Sequence, residues 1–422
     1  MFRAPPPERR RRRDLLLTAV LVLSLAGAAV AVGASSDIAG TTSRPADTPI
    51  AEPPPAAGIP ARFTPAWSAP SAHTRSPVVA GPAVVTADGS TVVGRDARTG
   101  EQRWSYSRDL PLCVVGAAFP NVTEGRVVAL YADDIGPADG SGDDPYCSEL
   151  TMLRADTGER AGARNPDARP GATLIADDTY LLVLGDDHLE VLRSDLVRTL
   201  EYGTIPAQEQ VGRQPRPECG YGSAVLGGGL VGVIERCPGE SGDRLTVLAA
   251  NGDDGAEEPE EKYSVVLPGT GAEVVALTEE RAAVTLGGRL LVFDDAGTRV
   301  SGSGPMDSGS AGSGQPETGP PPCAQETPRF VRADSSVLAL DPCALTVRWT
   351  VPDTLGAPVR YGVDLLVPVK GGLRVVDIED GTAGRVLPVG RADPDAPVAL
   401  AVQGDVLLEQ RGSEVVALTP VS

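Results

Sequence analysis

VVGRDARTGEQRW, Val92 to Trp104, is the stretch on which the reading of this chain turns. An alternating apolar run leads into Asp96, a polar turn follows that holds Gly100, and a second strand carries Trp104. Alternation at period two marks a half-buried strand, and an Asp/Thr/Gly cluster marks a tight connection. The unit returns as TMLRADTGER from Thr151, LEVLRSDLVRTLEY from Leu189, LTVLAANGDD from Leu245 and LLVFDDAGTRV from Leu290. It returns again as SVLALDPCALTVRWT from Ser336, LRVVDIEDGTAGRV from Leu373 and SEVVALTPVS from Ser413. Repeats at intervals of roughly 40–50 residues point to propeller blades.

Most copies follow two shorter apolar runs, as in SPVVAGPAVVTADG from Ser76 and PVRYGVDLLVPVKGG from Pro358. Two runs, the repeated strand and a final strand supply the four strands of a blade. The last copy stops at Val421-Ser422 without a fourth strand. RFTPAWSAP from Arg62 supplies it, with Trp67 standing where Trp104 and Trp349 stand in complete units. Such an exchange closes the ring and leaves no sheet edge open to other chains. The expected fold is therefore all-β: one β-propeller over 62–422, with eight four-stranded blades closed by an N-terminal strand. Seven is the alternative count, because the unit around Phe330 lacks a clear first strand after the Gly/Ser/Pro insert at 301–322.

The first 61 residues read differently. Residues 1–14 form a basic cytoplasmic segment with five arginines in a row, Arg9 to Arg13. Residues 15–35 read as a transmembrane signal anchor, since the run Leu15 to Ala34 carries no charge and is long enough for a bilayer core. Basic residues on its N-terminal flank keep that flank in the cytoplasm. The expected location is the plasma membrane, single-pass, with the propeller outside. A cleaved secretory signal ending near Ala29-Val30-Ala31 is the rival, and Arg12-Arg13 loosely matches a twin-arginine signal. Residues 36–61 are rich in proline and alanine and read as a disordered linker that lets the propeller search around its anchor.

The Val-rich strand, Asp, Thr-Gly turn and terminal Trp resemble the pyrroloquinoline-quinone repeat, best in VVGRDARTGEQRW and VLALDPCALTVRW. The resemblance spans most of 62–422 and implies a propeller shared by quinone dehydrogenases and by non-enzymatic envelope proteins. For the enzymes it also implies adjacent cysteines, calcium ligands, a catalytic Asp and several stacking tryptophans. Here no two cysteines are adjacent, and the three tryptophans fall at blade-closing positions. No catalytic residues, no cofactor-binding residues, no cofactor and no metal are therefore expected, and the chain resembles the non-enzymatic branch. With two lysines against many arginines, it also resembles membrane-anchored propellers of actinobacteria.

Six cysteines fall as Cys113 and Cys147, Cys219 and Cys237, Cys323 and Cys343. Sequential pairing within single blades is expected, because the closed loops are short and an exported location permits oxidation. A zinc site is the weaker reading, since the spacings are not CxxC-like. His73 and His188 are the only histidines, and His188 reads as part of a solvated hairpin tip after Gly185-Asp186-Asp187. Two acidic loops, from Ala132 and from Asn251, could offer oxygen ligands to calcium but match no calcium-loop spacing. A net charge of −20 argues against nucleic acid as a partner. The sequence points to a protein-binding scaffold for unidentified envelope proteins. The alternatives are a small-molecule or glycan sensor and, further off, a quinone-dependent dehydrogenase.

Overall fold

Each copy of the repeat folds as an antiparallel meander, and the meanders stand as blades around a common axis. The computed structural model describes residues 12–34, 39–132, 146–205, 208, 211–252, 255–302 and 327–421. Its strands form eight sheets. In chain order the blades cover 78–108, 112–164, 173–203, 220–266, 273–302, 329–351 and 359–388, and the eighth combines 399–421 with the N-terminal strand. The second and third strands are covered on both faces by neighbouring blades: Val84 and Leu407 on second strands and Val92 and Leu373 on third strands are 0% exposed. That is why these strands read as unbroken apolar runs, whereas an outer strand such as Ala383–Pro388 is mostly exposed.

The ring closes as the sequence implies. Arg62–Pro70 pairs antiparallel with Glu414–Val421, from Arg62 opposite Val421 to Pro70 opposite Glu414. Pro65 and Pro70 are tolerated because this strand lies on the outer edge, where one side needs no ladder donors. Among the described residues blade 6 has three strands. Ser336–Leu340 aligns with the third strand of blade 1, Thr91–Arg95, so these three occupy the second to fourth positions.

The repeated turn is the joint between blades. In blade 1, Asp96 Oδ1 accepts from the backbone N–H groups of Arg98 (3.0 Å) and Thr99 (2.9 Å), and Gly100 N–H closes the turn on Asp96 O. Trp67, on the closing strand of blade 8, lies against this turn and donates its indole N–H to Ala97 O at 2.8 Å. Trp104 of blade 1 does the same to Ala155 O of blade 2 at 2.7 Å, and Trp349 of blade 6 to Glu379 O of blade 7 at 3.2 Å. A β-carbon on Gly100, Gly158 or Gly381 would lie 2.5–2.6 Å from the facing indole, and all three glycines have positive φ. The turn glycine is thus required twice, by its backbone and by the ring above it.

The helix Arg12–Ala34 has 23 residues, about 35 Å at 1.5 Å per residue, and is long and apolar enough to cross a bilayer. Within the expected linker, 36–61, the described residues 39–61 include one strand. Thr41–Arg44 adds a fifth strand to the outer edge of blade 1, pairing with Gln102–Arg108. The chain then crosses the lower face, which carries the first-to-second and third-to-fourth strand turns. Ala46 and Ile50 donate backbone N–H groups to Thr157 O and Asp156 O of blade 2, and the Ile50 side chain is 4% exposed. Pro53 and Pro54 pack over Gly404 of blade 8, and Pro60 O accepts from Arg385 of blade 7. Composition suggested a tether because proline has no backbone N–H to pair and the segment has almost no large apolar residues. One buried isoleucine and a few backbone bonds suffice to seat it as a strap.

Two outcomes follow. Trp104→Ala should lower unfolding stability by about 3–5 kcal/mol in urea titrations, and Trp349→Ala, whose ring is only half-buried, by clearly less. Limited proteolysis of the folded protein should leave 41–61 uncut until global unfolding, and Ile50→Asp should release it. Rapid cutting in the wild type would restore the linker reading.

Candidate functional site

The interblade joint changes character between blades 4 and 5. The register that sets Trp104 opposite Gly94 in blade 1 sets Tyr263 opposite Val247 in blade 4. Tyr263 lies over the next turn as the tryptophans do, with Gly297 so close that a β-carbon there would sit 2.7 Å from the ring. The turn itself is shorter, Asp294-Asp295-Ala296-Gly297, and Asp294 Oδ1 accepts from the N–H groups of Ala296 and Thr298. A phenol cannot place its donor where an indole does. The Tyr263 hydroxyl is buried and finds no hydrogen-bond partner.

A cleft of about 320 Å³ opens at this joint on the lower face. Its walls include the first turn of blade 4 at Gly228, the first turn of blade 5 at 278–280, and Asp294 and Asp295. The two first turns touch backbone to backbone: a β-carbon on Gly228 would lie 2.6 Å from Glu279 N. Four carboxylates line the cleft, those of Glu279, Glu280, Asp294 and Asp295, against two cations, Lys262 and Arg281. Lys262 is already held by Glu260 at 2.5 Å. Arg281 Nη1 is buried without a partner, like the Tyr263 hydroxyl. Burial, followed by the charges of Asp294 and Asp295, pushes the Tyr263 phenol well above its ordinary pKa and keeps it a donor. The cleft therefore has an acidic rim, with two unmatched donors buried in the wall behind it. The strap lies over blades 1, 2, 8 and 7 and leaves this part of the lower face uncovered.

Sequence reasoning missed this cleft. The signal that could have found it is the exchange of Trp for Tyr at the third residue of a fourth strand, visible only once the blades are in register. The residues singled out from the sequence lie elsewhere. Cys113 is bonded to Cys147 and Cys219 to Cys237, each pair within one blade. Cys343 is disulfide-bonded as well, while Cys323, its expected partner, lies outside the described residues. Nearly all of the first acidic loop, 133–145, lies outside them too, as do Asp253 and Asp254. In the rest of the second loop three of the four glutamates are ion-paired: Glu258 with Arg213, Glu260 with Lys262 and Glu261 with Arg216. His73 sits near the inner end of blade 2, its Nδ1 3.4 Å from Cys113 O. His188 is not a solvated hairpin tip. It is 2% exposed, because it is the first residue of the third strand of blade 3 and its Nε2 lies 3.2 Å from the buried Glu201.

No protein-family model matches the chain, and no curated protein matches it. Among solved structures it is similar to the quinohemoprotein alcohol dehydrogenase ADHIIG of Pseudomonas putida HK5. The TM-score is 0.50 at 13% identity, over 87% of this chain and 78% of that one. It is also similar to apo AztD from Citrobacter koseri (TM-score 0.45, 13% identity, 78% and 87% covered). A third is the Cps50 (Swd1) β-propeller domain of Myceliophteria thermophila (TM-score 0.45, 12% identity, 85% and 100% covered). At such identities the likeness is one of fold, and the chain is a β-propeller.

Tyr263→Phe should raise stability by about 1 kcal/mol, since it removes a buried hydroxyl that no group satisfies. An equal loss in denaturant titration would show that the hydroxyl has a partner in solution.

Proposed function

We propose that this protein is a non-catalytic, membrane-anchored propeller of the cell envelope that binds a partner protein through the cleft between blades 4 and 5. On this reading it belongs with the non-enzymatic propellers of the pyrroloquinoline-quinone-repeat type, of the actinobacterial sort that its arginine-rich composition resembles. The observation that carries the reading is the make-up of the cleft. Its carboxylates outnumber its cations in a chain of net charge −20, so it attracts positive charge. A basic polypeptide segment answers this charge, with lysine or arginine side chains at the rim. Complementary charge of this kind contributes mostly to encounter rate and specificity.

The short connection to the anchor supports the same picture. Six residues, 35–40, separate the helix from the first strand, a span of at most about 25 Å. The chain joins the upper end of blade 1, where Thr41 pairs with Arg108. The lower face, with the cleft, opens away from that attachment and toward proteins of the surrounding envelope.

The test is in-cell crosslinking of the tagged full-length protein followed by mass spectrometry, in wild type and in Glu279→Lys/Glu280→Lys. Crosslinks from 278–281 to a lysine- or arginine-rich segment of one abundant envelope protein, reduced at least about tenfold by the charge reversal, are expected. Capture that the reversal leaves unchanged would overturn the reading. Loss of capture only when neutral saccharides compete would favour the glycan-binding alternative.

A further inference from the structure

Blade 3 holds a second group of side chains with chemistry of their own. His188 and Glu190 stand two residues apart on the strand His188–Arg193, and Glu201 on Arg198–Gly203 lies directly opposite Glu190. Period two along one strand and register across the pair bring all three to one face of the sheet. Their side chains are 2%, 1% and 1% exposed. His188 Nε2 lies 3.2 Å from Glu201 Oε1, and one donor atom from each of the three residues falls within 4.8 Å of the others.

The group is short of positive charge. Two carboxylates face each other in a dry layer, an arrangement that is unfavourable unless something neutralises it. Arg198 supplies one cation from the rim, its Nη1 2.7 Å from Glu201 Oε2 and 3.3 Å from Glu190 Oε1. Asp167 draws on the same guanidinium at 3.9 Å, and its backbone N–H donates to Glu190 Oε1 at 2.9 Å. Glu190 Oε2 has no hydrogen-bond partner at all. Burial raises the Glu190 pKa, the mark of a carboxylate whose charge is under-compensated.

We propose that His188, Glu190 and Glu201 form a binding site for a divalent transition-metal ion, zinc being the class that fits one imidazole nitrogen and two carboxylate oxygens. Zinc bonds of about 2.0–2.2 Å place tetrahedral donors roughly 3.4 Å apart. The His188–Glu201 pair already has this spacing, and rotation of the Glu190 carboxyl group closes the third side. The ion supplies the charge that Arg198 alone does not, and it gives Glu190 Oε2 a partner. Arg198, a quarter exposed and already beside Asp167, can yield its share of the carboxylates. No spacing along the chain points to this set, because its residues match no metal-binding pattern until the two strands pair. It stands apart from the cleft and does not depend on that reading.

The experiment uses the full-length protein in detergent, stripped with a chelator, incubated with Zn²⁺ and desalted, with the metal-to-protein ratio read by mass spectrometry. One ion per chain is expected in the wild type, with affinity at least about tenfold weaker in Glu190→Gln and Glu201→Gln. Arg198→Met should bind more tightly, because a competing cation is gone. Co²⁺ loaded in place of zinc should show a visible absorption band that His188→Gln loses, which binding to surface carboxylates would not do. No retained zinc in the wild type, or equal retention in the Gln variants, would overturn the proposal. Should a Gln variant fail to fold, Arg198→Met decides: unchanged or weaker binding there is also fatal.

Discussion

A ring of blades holds only if each blade grips the next, and here the grip is an aromatic ring set over a turn that has no side chain in the way. Trp104 shows the parts. Its indole N–H is spent on Ala155 O of the next blade, its faces are buried, and Gly158 leaves the space it fills. Its own sheet makes room as well: a β-carbon on Gly94, the residue paired with it, would lie 2.0 Å from the indole. Burying a large ring while satisfying its one polar atom combines dispersion and hydrogen bonding at a single point. The aspartate that begins the turn holds the backbone in the shape this contact needs.

The same joint is filled in other ways where tryptophan is missing, and the substitutions come in complementary pairs. In blade 2 the tryptophan register is occupied by Gly162, and the facing turn of blade 3 presents Leu196 at a φ of 62°. The leucine reaches into the space, 3.1 Å from where a β-carbon on Gly162 would stand. In blade 5 the register holds Ser301, and the following blade presents Leu345, also with positive φ and 0% exposed. Volume moves from one blade to the other while the joint stays filled, as close packing demands. The Tyr263 joint instead leaves a buried hydroxyl unmatched, and it is there that the cleft opens.

Connectors between blades add a polar version of the same linkage. Arg216, on the way from blade 3 to blade 4, meets the fully buried Glu235, whose other oxygen accepts from Tyr202 at 2.6 Å. Arg391, on the way from blade 7 to blade 8, meets the equally buried Glu409, which Arg411 also contacts. Such pairs contribute little net stability once desolvation is counted, yet breaking one leaves a stranded charge. They therefore hold each connector in one place. The His188–Glu190–Glu201 group differs in having more carboxylate than its arginine can match.

By itself the sequence determined the architecture. Period-two apolar runs, an Asx-type turn and a recurring tryptophan are local signals, and eight copies with RFTPAWSAP left over at the start require a ring closed by Arg62–Pro70. Sequential cysteine spacing likewise pointed to the bonds Cys113–Cys147 and Cys219–Cys237. What only the tertiary structure decided depends on which residues face one another across strands and blades. The segment 39–61 became a strap because Ile50 found a core to enter, a fact that its proline-rich composition conceals. His188 left the solvent because it stands on a strand beside the buried Glu201, and Glu190 met Glu201 through the register of two strands. Tyr263 lost its partner because a phenol extends its donor along a different line from an indole. Local pattern sets how a strand forms; the facing of side chains, and hence any site, is set by distant chain brought near.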